Sequence, residues 1–199
     1  MRISKKNWAI IKIIVFFLAL IPFLQLVNDI IHDQLGANPI ETLHFRLGDW
    51  ALRFLCIGLA LTPLKKLFHQ SWLVRFRRMM GLFAFFYASM HFLVYIVLDL
   101  SLSWEAFVDE VPQSPYILVG IFTYTLLIPL ALTSTRAMQR RLGKYWKKLH
   151  RLVYIAGVSA VVHYLWLVKS DFNEPAFYAG IMFVLLGFRL FESIQTRTR

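Results

Sequence analysis

The stretch GLFAFFYASMHFLVYIVL, residues 81–98, places His91 near the middle of an almost unbroken apolar run. A second run, RLVYIAGVSAVVHYLWLV at residues 151–168, holds His163 in the same way. Runs of this length predict helices that span a membrane. An imidazole without a partner in hydrocarbon costs several kcal/mol, so both histidines are expected to face the bundle interior and to mark a functional site.

The composition predicts an integral membrane protein. Of the 199 residues, 58% are hydrophobic and only 17% are charged, which is more apolar surface than one soluble core buries. The net charge of +11 comes from basic residues between the apolar runs, so it indicates membrane topology and not nucleic-acid binding. The single cysteine, Cys56, excludes an intramolecular disulfide and a C-x-x-C-H attachment, so any haem would be held without a covalent bond.

Hydropathy predicts an all-α integral membrane bundle that forms one domain over residues 1–199. Six runs are long enough to span: 8–28, 47–64, 79–98, 115–133, 149–168 and 175–191. No internal sequence repeat is seen. The loop that starts at Thr133 predicts an interfacial helix, capped by Ser134 or Thr135.

The distribution of charge predicts that both termini are cytoplasmic. The basic connections KKLFHQSWLVRFRR (65–78) and TRAMQRRLGKYWKKLHR (135–151) then lie inside, together with Arg2, Arg197 and Arg199. All acidic residues except Glu192 fall on the outer side. The asymmetry predicts a multi-pass protein of a bacterial inner membrane.

The depths of His91 and His163 suggest a shared metal. Counted from the inner ends of their spans, at residues 79 and 149, the two histidines lie 12 and 14 residues deep on helices that run in the same direction. Two imidazoles facing each other at one level can both ligate a haem iron, which leaves no open position and favours electron transfer. The alternative is a pair of packing histidines bonded to backbone carbonyls or to hydroxyls such as those of Ser89 and Ser159.

A second haem site near the inner surface is less well supported. His150 precedes His163 by 13 residues, and this spacing rotates an ideal helix by about 220°, so the two do not share a face. The matching position of the third span holds Arg77, which could bind a haem propionate or an anionic lipid. His150 is therefore either a ligand or an interfacial histidine in a basic loop.

Two outer residues have simpler interpretations. His44 is expected in a polar outer loop, solvated or in contact with a propionate. Arg53 is expected to extend outward and to pair with Asp49 or Asp29.

Three stretches carry a family resemblance: LTPLKKLF (61–68), RRMMGLFAFFYASMHFLVY (77–95) and the segment from LALTSTRAMQRR to VVHYLWLVK (130–169). They resemble the haem-binding membrane subunits of bacterial periplasmic methionine sulfoxide reductase systems, within the ferric-reductase-like transmembrane group. The resemblance implies a six-helix b-type cytochrome in which His91, His163 and His150 match the family's histidines. It also implies FMN, to which no residue is assigned. The third helix of the wider group usually holds two histidines, and here the inner one is replaced near Arg77.

The resemblance implies electron transfer from a cytoplasmic flavin reductase or quinol to a periplasmic molybdenum-containing reductase that repairs oxidised methionines. No catalytic residue is expected in the chain itself. One alternative is the membrane subunit of a ferric-chelate or oxygen reductase, which would need a separate dehydrogenase because no G-x-G-x-x-G follows a strand. Another is a small transporter or scaffold without redox chemistry.

Overall fold

The structure is a computed structural model that describes residues 4–169 and 171–195, and the part it describes contains helices and no strand. Arg2, Arg197 and Arg199, which entered the topology prediction, lie outside the described residues. In chain order the helices are α1 (Lys5–Ile31), α2 (Pro39–Leu67), α3 (Arg77–Val94), α4 (Trp104–Gln113), α5 (Pro115–Leu132), α6 (Arg136–Leu142), α7 (Lys144–Leu149), α8 (Leu152–Leu167) and α9 (Asn173–Gln195). A 3₁₀ turn, Leu73–Phe76, precedes α3, and a π-helical turn, Tyr95–Asp99, follows it.

Five segments of the described chain are long and apolar enough to cross a membrane. They are Lys6–Ile31, Pro39–Leu67, Leu73–Asp99, Pro115–Leu132 and Asn173–Gln195. The remaining predicted span, 149–168, corresponds to α8, whose 16 residues fall just short of the roughly 17 residues that a crossing needs. The membrane character is therefore confirmed, while six spans and cytoplasmic termini stay predictions.

Helix α2 is longer than the apolar run that predicts it. It begins at Pro39, where the Asn38 side chain caps it by accepting from the Glu41 N–H, and proline occupies the first turn. This start brings His44 into the helix, so the expectation of a polar outer loop at His44 is wrong. The hydropathy signal fails here because Glu41, His44 and Arg46 interrupt the apolar run although the helix continues through them.

Helix α1 packs on the bundle through an opening in its own backbone ladder. Pro22 lies inside α1 and cannot donate a backbone hydrogen bond. The hydroxyl of Tyr87, on α3, donates to the Ala19 carbonyl at 2.9 Å and accepts from the Phe23 N–H at 3.1 Å. The Tyr87 side chain thus bonds two α1 backbone groups that lie one turn apart and anchors α1 to α3.

Two helix pairs form the most extensive interfaces, α2 with α3 and α5 with α8. The pairs meet through smaller contacts of α3 with α5 and of α2 with α8, and α9 closes the bundle against α8 and α2. Short helices lie at the two ends. Helix α4 joins α3 to α5, and α6, capped by the Thr135 hydroxyl as the sequence suggested, joins α5 to α8 through α7.

Candidate functional site

A cavity of about 730 Å³ lies between the two helix pairs, towards the end of the bundle where α2 and α5 begin and α3 and α8 end. His91 and His163 both line it. Cofactor pockets in proteins typically occupy about 300–1,000 Å³ and are lined mainly by apolar side chains with a few polar groups. The two deep histidines therefore line one cavity between the helix pairs.

His91 is held by the helix next to its own. Its Nδ1 lies 3.0 Å from the backbone carbonyl oxygen of His44, on α2. A β-carbon added to Gly48, one turn further along α2, would lie 3.4 Å from the His91 ring. The Nδ1–Cε1 edge of the imidazole therefore lies next to a glycine, and Nδ1 reaches the carbonyl of the preceding turn.

His163 is held in the same manner by α5. Its Nδ1 lies 2.7 Å from the carbonyl oxygen of Tyr116. A β-carbon added to Gly120 would lie only 2.9 Å from His163 Cε1 and 3.0 Å from Nδ1. The fit at this second histidine is therefore tighter than at the first.

These bonds fix the protonation pattern of both rings. A carbonyl oxygen can only accept, so each Nδ1 must carry the proton and donate it. In a neutral imidazole the other nitrogen, Nε2, then holds a lone pair. No hydrogen bond to either Nε2 is found among the described residues. His91 and His163 therefore each offer one nitrogen lone pair that is free to bind a metal. This is the usual arrangement of a metal-binding histidine, whose other N–H is held by a backbone carbonyl or carboxylate.

The spacing of the two rings suits two ligands of one metal. The ring centroids of His91 and His163 are 6.1 Å apart, and the ring planes are inclined at 82°. Two metal–nitrogen bonds of about 2 Å each put imidazole centroids roughly 6 Å apart on opposite sides of one ion.

The hydroxyls considered as packing partners are used elsewhere. Ser89 donates to the Phe85 carbonyl, and Ser159 interacts with the hydroxyl of Thr123. The histidines do bond to backbone carbonyls, as the packing alternative requires, but each uses only one of its two ring nitrogens.

The open end of the cavity is acidic. Four carboxylates line it, on α2, on α4 and at the end of the π-helical turn: Glu41, Asp49, Asp99 and Glu110. His44 lies between this rim and the interior, because its Nε2 is 2.5 Å from Asp99 Oδ2 and its ring contacts the His91 ring edge-on at 5.1 Å. His44 is therefore joined to the rim through its side chain and to the buried site through its carbonyl.

A polar network closes the rim on the side of α9. Arg53 pairs with Asp49 at 3.2 Å, as the sequence suggested, and donates to the Tyr178 hydroxyl at 2.7 Å. Tyr164, the residue after His163, donates to Glu174 at 2.9 Å. The other suggested partner of Arg53, Asp29, instead pairs with Arg46 at 2.6 Å.

Residues 47–161 match the family described as "Ferric reductase like transmembrane component". The chain is 52% identical over 165 residues to the protein named "Protein-methionine-sulfoxide reductase heme-binding subunit MsrQ" of Xanthomonas euvesicatoria pv. vesicatoria (strain 85-10), covering 83% of this chain and 76% of that protein. The MsrQ of Ralstonia nicotianae (strain ATCC BAA-1114 / GMI1000) is 46% identical over 188 residues, covering 93% and 87%. The chain belongs to the MsrQ family. No solved structure matches it.

In this MsrQ-family chain, His150 lies apart from the cavity, between α7 and α8. Its Nε2 is 3.0 Å from the Thr133 hydroxyl, which donates to the Pro129 carbonyl and therefore accepts from His150. Trp146 stacks on the His150 ring with centroids 4.0 Å apart. Burial, and then the positive charge of Arg77, hold the pKa of His150 below its ordinary value of 6.5.

Arg77 thus lies near His150 but not near the two cavity histidines. The inner pair therefore remains a prediction, separate from the site that the structure brings together. Sequence reasoning missed the two carbonyl acceptors and the two glycines of that site. The capping signal at Asn38 and Pro39 could have placed His44 on a helix, but no sequence signal points to its carbonyl.

Proposed function

We propose that the chain is a haem-binding, electron-carrying membrane subunit of a methionine sulfoxide reductase system. One observation carries the proposal: two imidazoles in one cavity, 6.1 Å apart, each with its Nδ1–H held by a backbone carbonyl and its Nε2 free. The names of the MsrQ relatives, which call them heme-binding subunits, support the same cofactor.

The donor set favours a metal carried in a macrocycle over a bare ion. Two nitrogen ligands fall short of the three or four protein ligands that zinc or copper sites use. No group of three or more His, Cys, Asp or Glu side chains suited to a metal is found in the described part of the chain. A porphyrin brings four nitrogens of its own and needs only two axial ligands, which His91 and His163 would supply. The lone Cys56 leaves non-covalent haem b as the form expected.

The protein's own contribution would be to hold the ligands and exclude water. Haem iron supplies reversible one-electron chemistry when both axial positions are filled. The carbonyls of His44 and Tyr116 orient the two imidazoles and keep each Nε2 unprotonated. Apolar side chains such as Leu52, Leu55 and Leu127 line the cavity and provide a low-dielectric wall.

Charge on the two ends of the bundle suggests the direction of transfer. The acidic rim lies at the end that the sequence assigns to the periplasm, where a molybdenum-containing methionine sulfoxide reductase would accept electrons. The other end holds basic α6 and α7, which would attract an anionic flavin from a cytoplasmic flavin reductase. A quinol, which is neutral, would be the alternative donor and would arrive through the membrane. Both assignments place the chain in a bacterial inner membrane. FMN is implied by family resemblance only, and no residue is assigned to it.

His150 and Arg77 would form a second, inner site, with His150 as a ligand and Arg77 on a propionate. The positive charge of Arg77 is one cause of the lowered pKa of His150, which favours the neutral imidazole that a metal ligand requires. In the structure, however, His150 Nε2 donates to Thr133, so ligation would require His150 to change its partner or to use Nδ1.

A pyridine-haemochrome assay with protein quantification tests the proposal. We expect haem b in the purified wild-type protein and its loss in His91→Ala and His163→Ala. His32→Ala is a matched control, because His32 bonds only to its own helix at the Asn28 carbonyl. A colourless wild-type protein from haem-replete cells, or unchanged spectra in both cavity variants, would defeat the proposal.

A further inference from the structure

The two histidines are held by one arrangement that occurs twice. In each case the Nδ1–H of the histidine donates to a carbonyl that lies 47 residues earlier in the chain. His91 donates to His44, and His163 donates to Tyr116. In each case a glycine stands four residues after the carbonyl, at positions 48 and 120. The stretches HFRLG and YILVG share only this glycine.

Helix geometry explains why the glycine stands at that position. In an α-helix the carbonyl of residue i points along the axis to the N–H of residue i+4. A side chain that comes from a neighbouring helix to the same carbonyl must therefore pass beside the Cα of residue i+4. A β-carbon there occupies the space of the ring, and the clearances of 3.4 Å at position 48 and 2.9 Å at position 120 measure how much space is left.

We propose that Gly120 and Gly48 are positioning residues for the two haem ligands, and this inference rests on the proposed function. Gly120 tolerates no side chain, because even a methyl group would push the His163 ring from the Tyr116 carbonyl. Gly48 has room for a methyl group, at ordinary contact distance from His91, and we expect a branched side chain there to displace the ring. The two positions therefore have different, stated size limits.

The size limits are tested in the full-length purified protein by haem content and by the low-spin electron paramagnetic resonance signal. Gly120→Ala should weaken haem binding by about 10- to 100-fold, as loss of an outer partner of a metal ligand does, or shift the signal. Gly48→Val should weaken haem binding over the same range of about 10- to 100-fold or shift the signal, and Gly48→Ala should have a smaller effect than Gly120→Ala because its β-carbon would lie 3.4 Å and not 2.9 Å from the ring.

Two controls separate positioning from packing. A β-carbon at position 157 would lie 2.9 Å from Sδ and Cε of Met182, the flexible end of a side chain away from the histidines, so Gly157→Ala should leave haem content and the signal unchanged. A β-carbon added at Gly187 has no neighbour within 4 Å, so we expect Gly187→Val to leave haem content unchanged. Circular dichroism checks that each variant folds. If Gly120→Ala does not fold, the alanine and valine pair at position 48 carries the test.

The outcomes distinguish this inference from the function on which it rests. If wild type binds haem and His163→Ala loses it, but Gly120→Ala and Gly48→Val retain the wild-type content and signal, the positioning role is wrong and the haem assignment stands. If wild type binds no haem, the proposed function itself fails.

Discussion

Replacing His163 with alanine and then supplying free imidazole separates ligation from packing. The fold should survive, because the Tyr116 carbonyl keeps its helical partner and only one hydrogen bond, worth about 0.5–1.5 kcal/mol, is lost. The variant leaves a ring-sized space beside Gly120 in a cavity of about 730 Å³. A free imidazole can enter that space, donate to the same carbonyl and present its other nitrogen.

The size of the effect can be worked out from the lost ligand. Removing an outer partner of a ligand costs about 10- to 100-fold in affinity, so removing the ligand itself should cost at least about 100-fold, or roughly 2.7 kcal/mol. Free imidazole at 100 times its own dissociation constant should strengthen haem binding by about 2.7 kcal/mol through mass action. Haem binding by His163→Ala should therefore be nearly lost in buffer and largely restored in concentrated imidazole.

The assay is a haem titration followed by Soret absorbance, with and without imidazole. His32→Ala serves as the control and should bind haem equally well in both conditions. If His163→Ala binds haem with wild-type affinity and spectrum in the absence of imidazole, His163 is not a haem ligand. If the folded variant stays colourless at every imidazole concentration while wild type binds haem, free imidazole does not replace the His163 ring and this prediction is wrong.

Three further predictions concern other parts of the structure. Tyr87→Phe should lower the free energy of unfolding by about 1–3 kcal/mol, because two backbone groups of α1 lose their hydrogen bonds to the Tyr87 hydroxyl. Denaturant unfolding measures this change. The control Tyr124→Phe, which removes one bond between side chains, should lower the free energy of unfolding by less. The pKa of His150 is lower in the folded protein, so the unfolded chain binds the proton first and the free energy of unfolding should fall as pH drops below about 6.5. In thermal unfolding, His150→Gln should reduce this dependence of stability on pH. An equal pH dependence in wild type and variant would contradict the prediction. The two cavity rings are nearly perpendicular, so the ferric protein should give a strongly anisotropic low-spin resonance signal. A rhombic signal, as parallel imidazole planes give, would exclude this ring geometry.

Hydropathy predicts the spans well wherever the apolar run and the helix coincide. The third predicted span, 79–98, agrees closely with α3 and its π-helical turn, which together cover residues 77–99. The second fails at its start because the exposed and partly exposed polar residues Glu41, His44 and Arg46 resemble a loop in a hydropathy average although the helix continues through them. The capping residues Asn38 and Pro39 carry the missing information, since they depend on local backbone geometry and not on hydropathy.

The candidate site is predictable in depth but not in detail. Counting residues along two parallel helices is enough to expect His91 and His163 at one level, because the rise per residue is constant. The carbonyls that hold them depend on how α3 packs on α2 and how α8 packs on α5. Such a register is set by side-chain packing over whole interfaces, and a single sequence does not encode it in any short pattern.

The repeated arrangement suggests why the site lies where it does. Each histidine is fixed within one helix pair, to a carbonyl of the partner helix, and these pairs form the most extensive interfaces of the bundle. The cavity lies between the pairs, where contacts are fewer. Each ligand is therefore oriented by a rigid neighbour, whereas the gap between the two ligands is governed by the less extensive contacts. A metal bound by both histidines would join the two halves of the bundle, so that cofactor binding and the assembly of the halves would stabilise each other.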